Sequence, residues 1–179
     1  MASQTHFIII FTILFWSLNA FSLHMVFADQ QLVAKVCGDS AINDQAGCLK
    51  TLSSPQATAA TNVNNLVEIT MTDGAARAEK TLTFIEEMMK KPSSPAALTA
   101  LKTCTEVYRN VIKEFKMVGP ELATDAMSAN YDISLIGPEV DKCVKAMEAA
   151  TLNVPELVEG NRDLQYYASL GHGMTVNLS

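Results

Sequence analysis

Beyond its first 28 residues the chain has no tryptophan, one histidine (His172) and six aromatic side chains: Phe84, Tyr108, Phe115, Tyr131, Tyr166 and Tyr167. These shortages exclude much. Without tryptophan there is no obvious stacking platform of the sort that sugar-binding modules expose. Nucleophilic catalysis needs an activated Ser, Cys or Thr beside a base that titrates near neutrality, yet His172 stands alone between Gly171 and Gly173. It reads as a surface histidine on a helix that its glycines allow to pack closely. The eight glycines are scattered, so no phosphate-cradling loop is present. Basic clusters are absent as well, and a net charge of -6 argues against nucleic acid or an anionic membrane as partner. Acid pairs that a glycosidase could use occur at Glu86–Glu87, Asp125 with Asp132, and Glu139 with Asp141. They fall on solvated helix faces or at helix starts, where the helix dipole favours acids, so they carry no chemistry. No cysteine spacing is CxxC, and one histidine cannot complete a zinc set. No metal, no cofactor and no enzymatic activity are expected.

What is present begins with a leader. Phe7 to Leu23 (FIIIFTILFWSLNAFSL) is an apolar run interrupted only by Thr12, Ser17, Asn19 and Ser22. Val26-Phe27-Ala28 then puts small residues at the two positions a signal peptidase reads. The sequence therefore predicts a signal peptide over residues 1–28 and a mature domain over 29–179. A retained membrane anchor is the alternative, although the run is at the short end for a span. All four cysteines, Cys37, Cys48, Cys104 and Cys143, lie in the mature part. An even count in a secreted chain implies two disulfides, with three connectivities open.

The mature pattern is helical almost throughout, and alternation of period two never lasts more than a few residues. Residues 29–37 and 44–52 form two short amphipathic helices, broken at Gly38-Asp39 and ended by Ser53-Ser54-Pro55. Alone they are too short to be stable in water. A Cys37–Cys48 bridge would make them a stapled hairpin. A long helix over about 60–90 carries Val63, Val67, Met71, Gly74, Ala78, Leu82, Ile85 and Met89 at steps of three and four. Ser94 as N-cap with Pro95 behind it opens the next helix, to about Met117, with Cys104 and Tyr108 on its packed side. Gly119-Pro120 is expected to break the chain, with a short continuation over 121–129. Residues 131–137 read as irregular. Helices then follow from Pro138 to about Thr151 and from Asn153 to about Leu178, the last with Leu157, Leu164, Ala168, Gly171 and Thr175 in line. Met71, Met89 and Met147 fall on buried stripes and read as core. Short connections favour antiparallel neighbours, hence an all-α, up-down-up-down four-helix bundle with an N-terminal helical hairpin. In it Cys104 and Cys143 lie on consecutive helices and could cross-link them. Asn177-Leu178-Ser179 is a glycosylation sequon at the very end of the chain.

The stretch Leu32 to Leu52, LVAKVCGDSAINDQAGCLKTL, resembles the opening of the plant invertase and pectin methylesterase inhibitor family. So do Cys104-x-x-x-Tyr108, the placing of Cys143 in the next helix, and the terminal NRDLQYYASLGHGMTVNL. The resemblance implies the same bundle-plus-hairpin fold, with cysteines paired first to second and third to fourth. Loops of about 12 and 40 residues closed in that way contribute about 3 and 4 kcal/mol in the chain-entropy model. It also implies a monomeric inhibitor, secreted to the cell wall (or alternatively the vacuole), that occludes the substrate cleft of pectin methylesterase one-to-one. Acid invertase is the alternative target, and a non-inhibitory secreted binding protein the third reading. Where invertase inhibitors often carry a Pro-Lys-Phe loop, this chain reads Ser128-Ala129-Asn130-Tyr131-Asp132, which favours pectin methylesterase. The residues expected to meet the enzyme lie on the outer faces of the first two long helices: Glu68, Thr72, Asp73, Glu79, Thr83 and Lys102. For invertase, Tyr131 and Asp132 would enter the active site on a loop over 130–132.

Overall fold

The structure, a computed structural model, describes residues 31–178; the leader read over 1–28 lies outside the described residues. Seven helices and no strand occur among them. Two short ones, α1 (31–37) and α2 (Gln45–Thr51), form the N-terminal hairpin, closed by a Cys37–Cys48 disulfide. Where Ser53-Ser54-Pro55 read only as a stop, a single turn follows, α3 (Pro55–Thr58). Ser54 caps it by accepting the Ala57 N–H, and Pro55 occupies the first helical position, where its missing N–H costs nothing.

Four long helices make the bundle: α4 (Val63–Met89), α5 (Pro95–Leu122), α6 (Ala126–Ala149) and α7 (Pro155–Thr175). Asn62, Ser94 and Asp125 cap the first three with side-chain oxygens on backbone N–H groups of the opening turn. Of the α4 stripe, Val67, Met71, Gly74, Ala78 and Ile85 are buried, whereas Val63, Leu82 and Met89 are half-buried at its edge. Met71 and Met147 are core residues.

Two expected breaks are absent. α5 runs through Gly119-Pro120 to Leu122, and residues 131–137, read as irregular, belong to α6, which runs through Gly137-Pro138. Proline disfavours a helical residue before it partly by striking that residue's Cβ, and in both places that residue is glycine. Packing does the rest. Ala129, Ile133, Ile136, Val140, Cys143 and Met147 are all buried at steps of four and three, one stripe crossing Pro138 without a change of phase. The real break falls at residues 123–125, where Asp125 opens α6.

Cross-helix contacts fix the topology. Gly74 faces Phe115 and Glu86 pairs with Arg109, so α4 and α5 are antiparallel. Cys104–Cys143 and Asn110–Glu139 set α5 against α6, Asn130–Thr175 and Asp141–Gln165 set α6 against α7, and Asp73–Tyr167 and Arg77–Asp163 return α7 to α4. The result is a closed up-down-up-down ring around one core.

Inside it, the buried Tyr108 hydroxyl donates to Asn161 Oδ1 at 3.0 Å, and the Asn161 amide reaches Met147 Sδ at 3.5 Å. That polar pair is brought together by Gly160. A Cβ there would lie 2.7 Å from Thr81 Cγ2 and 2.8 Å from the Tyr108 hydroxyl, so only glycine admits α7 this close. Gly173 does the same for the hairpin, whose Ala41 carbonyl oxygen would be 2.7 Å from its Cβ. His172 between the two late glycines is exposed, as expected of a surface histidine.

A candidate partner-binding surface

No helix among the described residues is long and apolar enough to cross a membrane, and no group of three or more His, Cys, Asp or Glu there could hold a metal. A protein of this build offers its outer faces. Glu68, Thr72, Glu79 and Thr83 follow one another at four- and seven-residue steps, so they form one exposed row on α4. From Glu68 to Thr83 the row is about 22 Å long at 1.5 Å per residue. It runs beside α5: Glu68 lies over Gly119, and Glu79 pairs with Lys116. Thr83 hydrogen-bonds the Glu79 carbonyl. Lys102 is exposed on α5 at the far end, on a small hollow shared with Glu86, Met89 and Arg109.

Asp73 leaves that row and turns towards α7. It accepts hydrogen bonds from the Tyr167 hydroxyl and from Arg77 Nε. Arg77 bridges on to Asp163 at 3.1 Å, with its guanidinium carbon 5.2 Å from the centre of the Tyr167 ring. Burial, and then the hydrogen bond to the Asp73 carboxylate, push the Tyr167 hydroxyl well above the usual phenol range. It stays neutral, and the cluster acts as a rivet between α4 and α7. Around it opens a polar groove of about 1020 Å³ between the hairpin, α4 and α7, lined by Glu68, Thr72, Asp73 and Arg162 among others. Tyr166, edge-on to Tyr167, meets Thr51 of the hairpin, so one ring faces in and the other is half-buried.

Tyr131 and Asp132 lie elsewhere. They are on the second turn of α6 and not on a loop. Asn130 before them is bolted to α7: its amide nitrogen is 2.8 Å from Thr175 Oγ1 and 3.2 Å from the His172 carbonyl oxygen. The loop expected to enter an active site is therefore a rigid helical edge. Tyr131 is exposed and Asp132 half-buried, facing Glu121 and Glu114 of α5. The structure thus spreads the eight candidates over three sides: Glu68, Thr72, Glu79, Thr83 and Lys102 along α4 and α5, Asp73 between α4 and α7, and Tyr131 with Asp132 along α5 and α6.

The sequence profile described as plant invertase/pectin methylesterase inhibitor matches residues 31–169. The chain belongs to that inhibitor family. Two solved pectin methylesterase inhibitors share its fold. A mutant form from Arabidopsis aligns with a TM-score of 0.69 at 19% identity, covering 80% of this chain and 95% of that one. A second, from Arabidopsis thaliana, aligns with a TM-score of 0.61 at 20% identity, covering 82% and 95%. No curated protein matches the sequence significantly. Both disulfides follow the pairing that the family resemblance implies, Cys37–Cys48 and Cys104–Cys143.

The sequence reading missed the other exposed large side chains beside Tyr131. Met127 and Leu135 sit four residues to either side of it on α6, and Met117 is exposed on α5. The signal was there: those positions fall out of phase with Ala129, Ile133 and Ile136, but only if 126–149 is taken as one helix.

Proposed function

We propose that this chain is a secreted inhibitor of pectin methylesterase, which it blocks one-to-one by covering the substrate cleft with an outer face of the bundle. Membership of the inhibitor family over residues 31–169 carries this reading. The likeness in fold to two pectin methylesterase inhibitors agrees with it. Glu68, Thr72, Glu79, Thr83 and Lys102 on the α4–α5 side, Asp73 on the α4–α7 side, and Tyr131 with Asp132 on the α5–α6 side, are the side chains proposed to meet the enzyme. An interface of ordinary size, about 1,600 Å² in total, suffices for tight binding, and a rigid ring of helices loses little entropy on docking. The signal peptide over 1–28 would be removed on export, leaving the mature domain in the cell wall.

The test is a titration. Purified protein lacking residues 1–28 is added to a pectin methylesterase and to an acid invertase, near pH 5 and near pH 7. Loss of methylesterase activity with an endpoint at one equivalent is the expected result. Loss of invertase activity alone would transfer the function to the other branch of the family. If stoichiometric protein slows neither enzyme, the inhibitor reading fails for both.

A further inference from the structure

An apolar hollow of about 540 Å³ opens where α6 turns into α7. Val144 and Met147 of α6, Leu152 of the connection and Val158 of α7 form its walls, and Val158 is 50% exposed. A hollow of this size, with apolar walls and a few converging polar groups, has the usual form of a small-molecule site.

The turn that shapes it is strained. α6 closes with the Leu152 N–H on the Met147 carbonyl at 2.9 Å and the Thr151 N–H on the Glu148 carbonyl at 3.0 Å. That pattern puts one residue in the left-handed region, a place glycine usually fills, and here Thr151 fills it at φ 51°. A β-branched side chain in that region is an outlier, and such strain gathers at sites that need it. The turn brings Leu152 back beside Met147, and both become wall.

Among the polar side chains on the lining, Asn161 is the buried one, 3% exposed. Its Oδ1 accepts from the Tyr108 hydroxyl, which fixes the carboxamide, and its Nδ2 reaches only Met147 Sδ, at 3.5 Å. A thioether is a weak acceptor, so the two N–H groups of a buried amide share one poor partner. Next in sequence, Arg162 gives Nη2 to Glu159 and has no other acceptor among the described residues. Gln165 is tied to Asp141, and Glu148, the one acid on the lining, is exposed. A buried N–H is satisfied only by an acceptor, so an anionic oxygen suits this place and an ammonium group does not.

We infer that this hollow is a binding site for a small carboxylic acid with an apolar body. The carboxylate accepts the Asn161 amide N–H and pairs with Arg162, while the body lies against Val144, Leu152 and Val158. None of the eight residues proposed to meet the enzyme lines it, and the site stands independently of the inhibitor reading.

The experiment titrates sodium decanoate into the mature protein, both disulfides intact, and follows it by proton–nitrogen correlation NMR. The Asn161 side-chain amide and the backbone N–H groups of Val144, Leu152 and Val158 should shift together and saturate. The dissociation constant should be at or below about 1 mM, ordinary for a ligand of about a dozen heavy atoms. Arg162→Gln removes the cation, and Val158→Glu sets a carboxylate in the wall. Both positions are exposed, and an acid near the start of α7 suits the helix dipole, so both variants should melt with wild type. Each should weaken decanoate binding at least about fivefold, the effect of one near charge. Decyltrimethylammonium, the same tail with the opposite charge, should leave the Asn161 amide unmoved. The assignment falls if decanoate moves none of these resonances at several times the expected dissociation constant. It falls equally if both folded variants bind decanoate as tightly as wild type, or if the ammonium compound binds as well.

Discussion

Gly160 offers a sharp test of the packing argument. Replacing it by alanine relieves the backbone-entropy cost of glycine in a helix, a gain of about 1 kcal/mol. Against this, the new Cβ would stand 2.7 Å from Thr81 Cγ2, 2.8 Å from Thr81 Oγ1 and 2.8 Å from the Tyr108 hydroxyl. Thr81 is β-branched and has little room to turn on its helix, and Tyr108 is fully buried and held by Asn161. Overpacking of that kind costs about 1–3 kcal/mol, and weakening the buried Tyr108–Asn161 hydrogen bond adds about 1 kcal/mol. The net loss is then about 1–3 kcal/mol. For a domain of this length each kcal/mol moves the midpoint by about 3 °C, so the melting temperature should fall by about 3–10 °C. Gly171→Ala is the internal control. Its Cβ would meet mainly the Met71 terminal methyl and sulfur, at 2.5 and 2.9 Å, and that flexible end can swing aside. It should melt within about 3 °C of wild type. Thermal unfolding followed by circular dichroism, with both disulfides intact, decides it. A Gly160→Ala protein as stable as wild type, or more so, would refute the close-approach account of α7.

Two further outcomes follow from the cross-links and from the carboxylates that meet between α5 and α6. Cys104→Ser/Cys143→Ser should destabilise the whole bundle by about 4 kcal/mol, whereas Cys37→Ser/Cys48→Ser should cost about 3 kcal/mol and loosen chiefly the hairpin. Hydrogen exchange of the folded proteins checks this: equal loss of protection in α1 and in α5 for the second variant would contradict it. Glu114 is held above the ordinary glutamate range, first by burial and then by the Glu139 and Asp132 carboxylates, with Lys142 and Lys113 partly offsetting them. A raised carboxyl keeps its full contribution to stability below the unfolded value, about 4.5, and loses it as pH climbs through the folded one. Glu114→Gln should therefore melt higher than wild type near pH 7 and equally near pH 4. A variant that melts lower at pH 7 would reverse the sign of that argument.

The sequence was read well where the signal was periodic and badly where it was a single local residue. The α4 boundaries were expected within three residues, because its apolar stripe and the Pro92–Pro95 stop agree. Pro120 and Pro138 misled the reading because the breaker rule is local, while Ile133, Ile136 and Val140 vote together for one continuous helix. Taking Pro138 as a start turned Tyr131 into a loop residue and hid its partners Met127 and Leu135. Gly171 and Gly173 were expected to let the last helix pack closely, and Met71 and the Ala41 carbonyl are what they make room for.

By itself the sequence determined the helical class, the hairpin at the start and the helices that carry each cysteine, since periodicity, caps and spacing are properties of neighbours along the chain. Only the tertiary structure decided which charges meet an opposite charge and which meet a like one. Glu79 finds Lys116 across 37 residues, whereas Glu114 and Glu121 find the carboxylate of Asp132. Such pairings depend on how two helices are rotated against each other, and that rotation is set by the packed core beneath them.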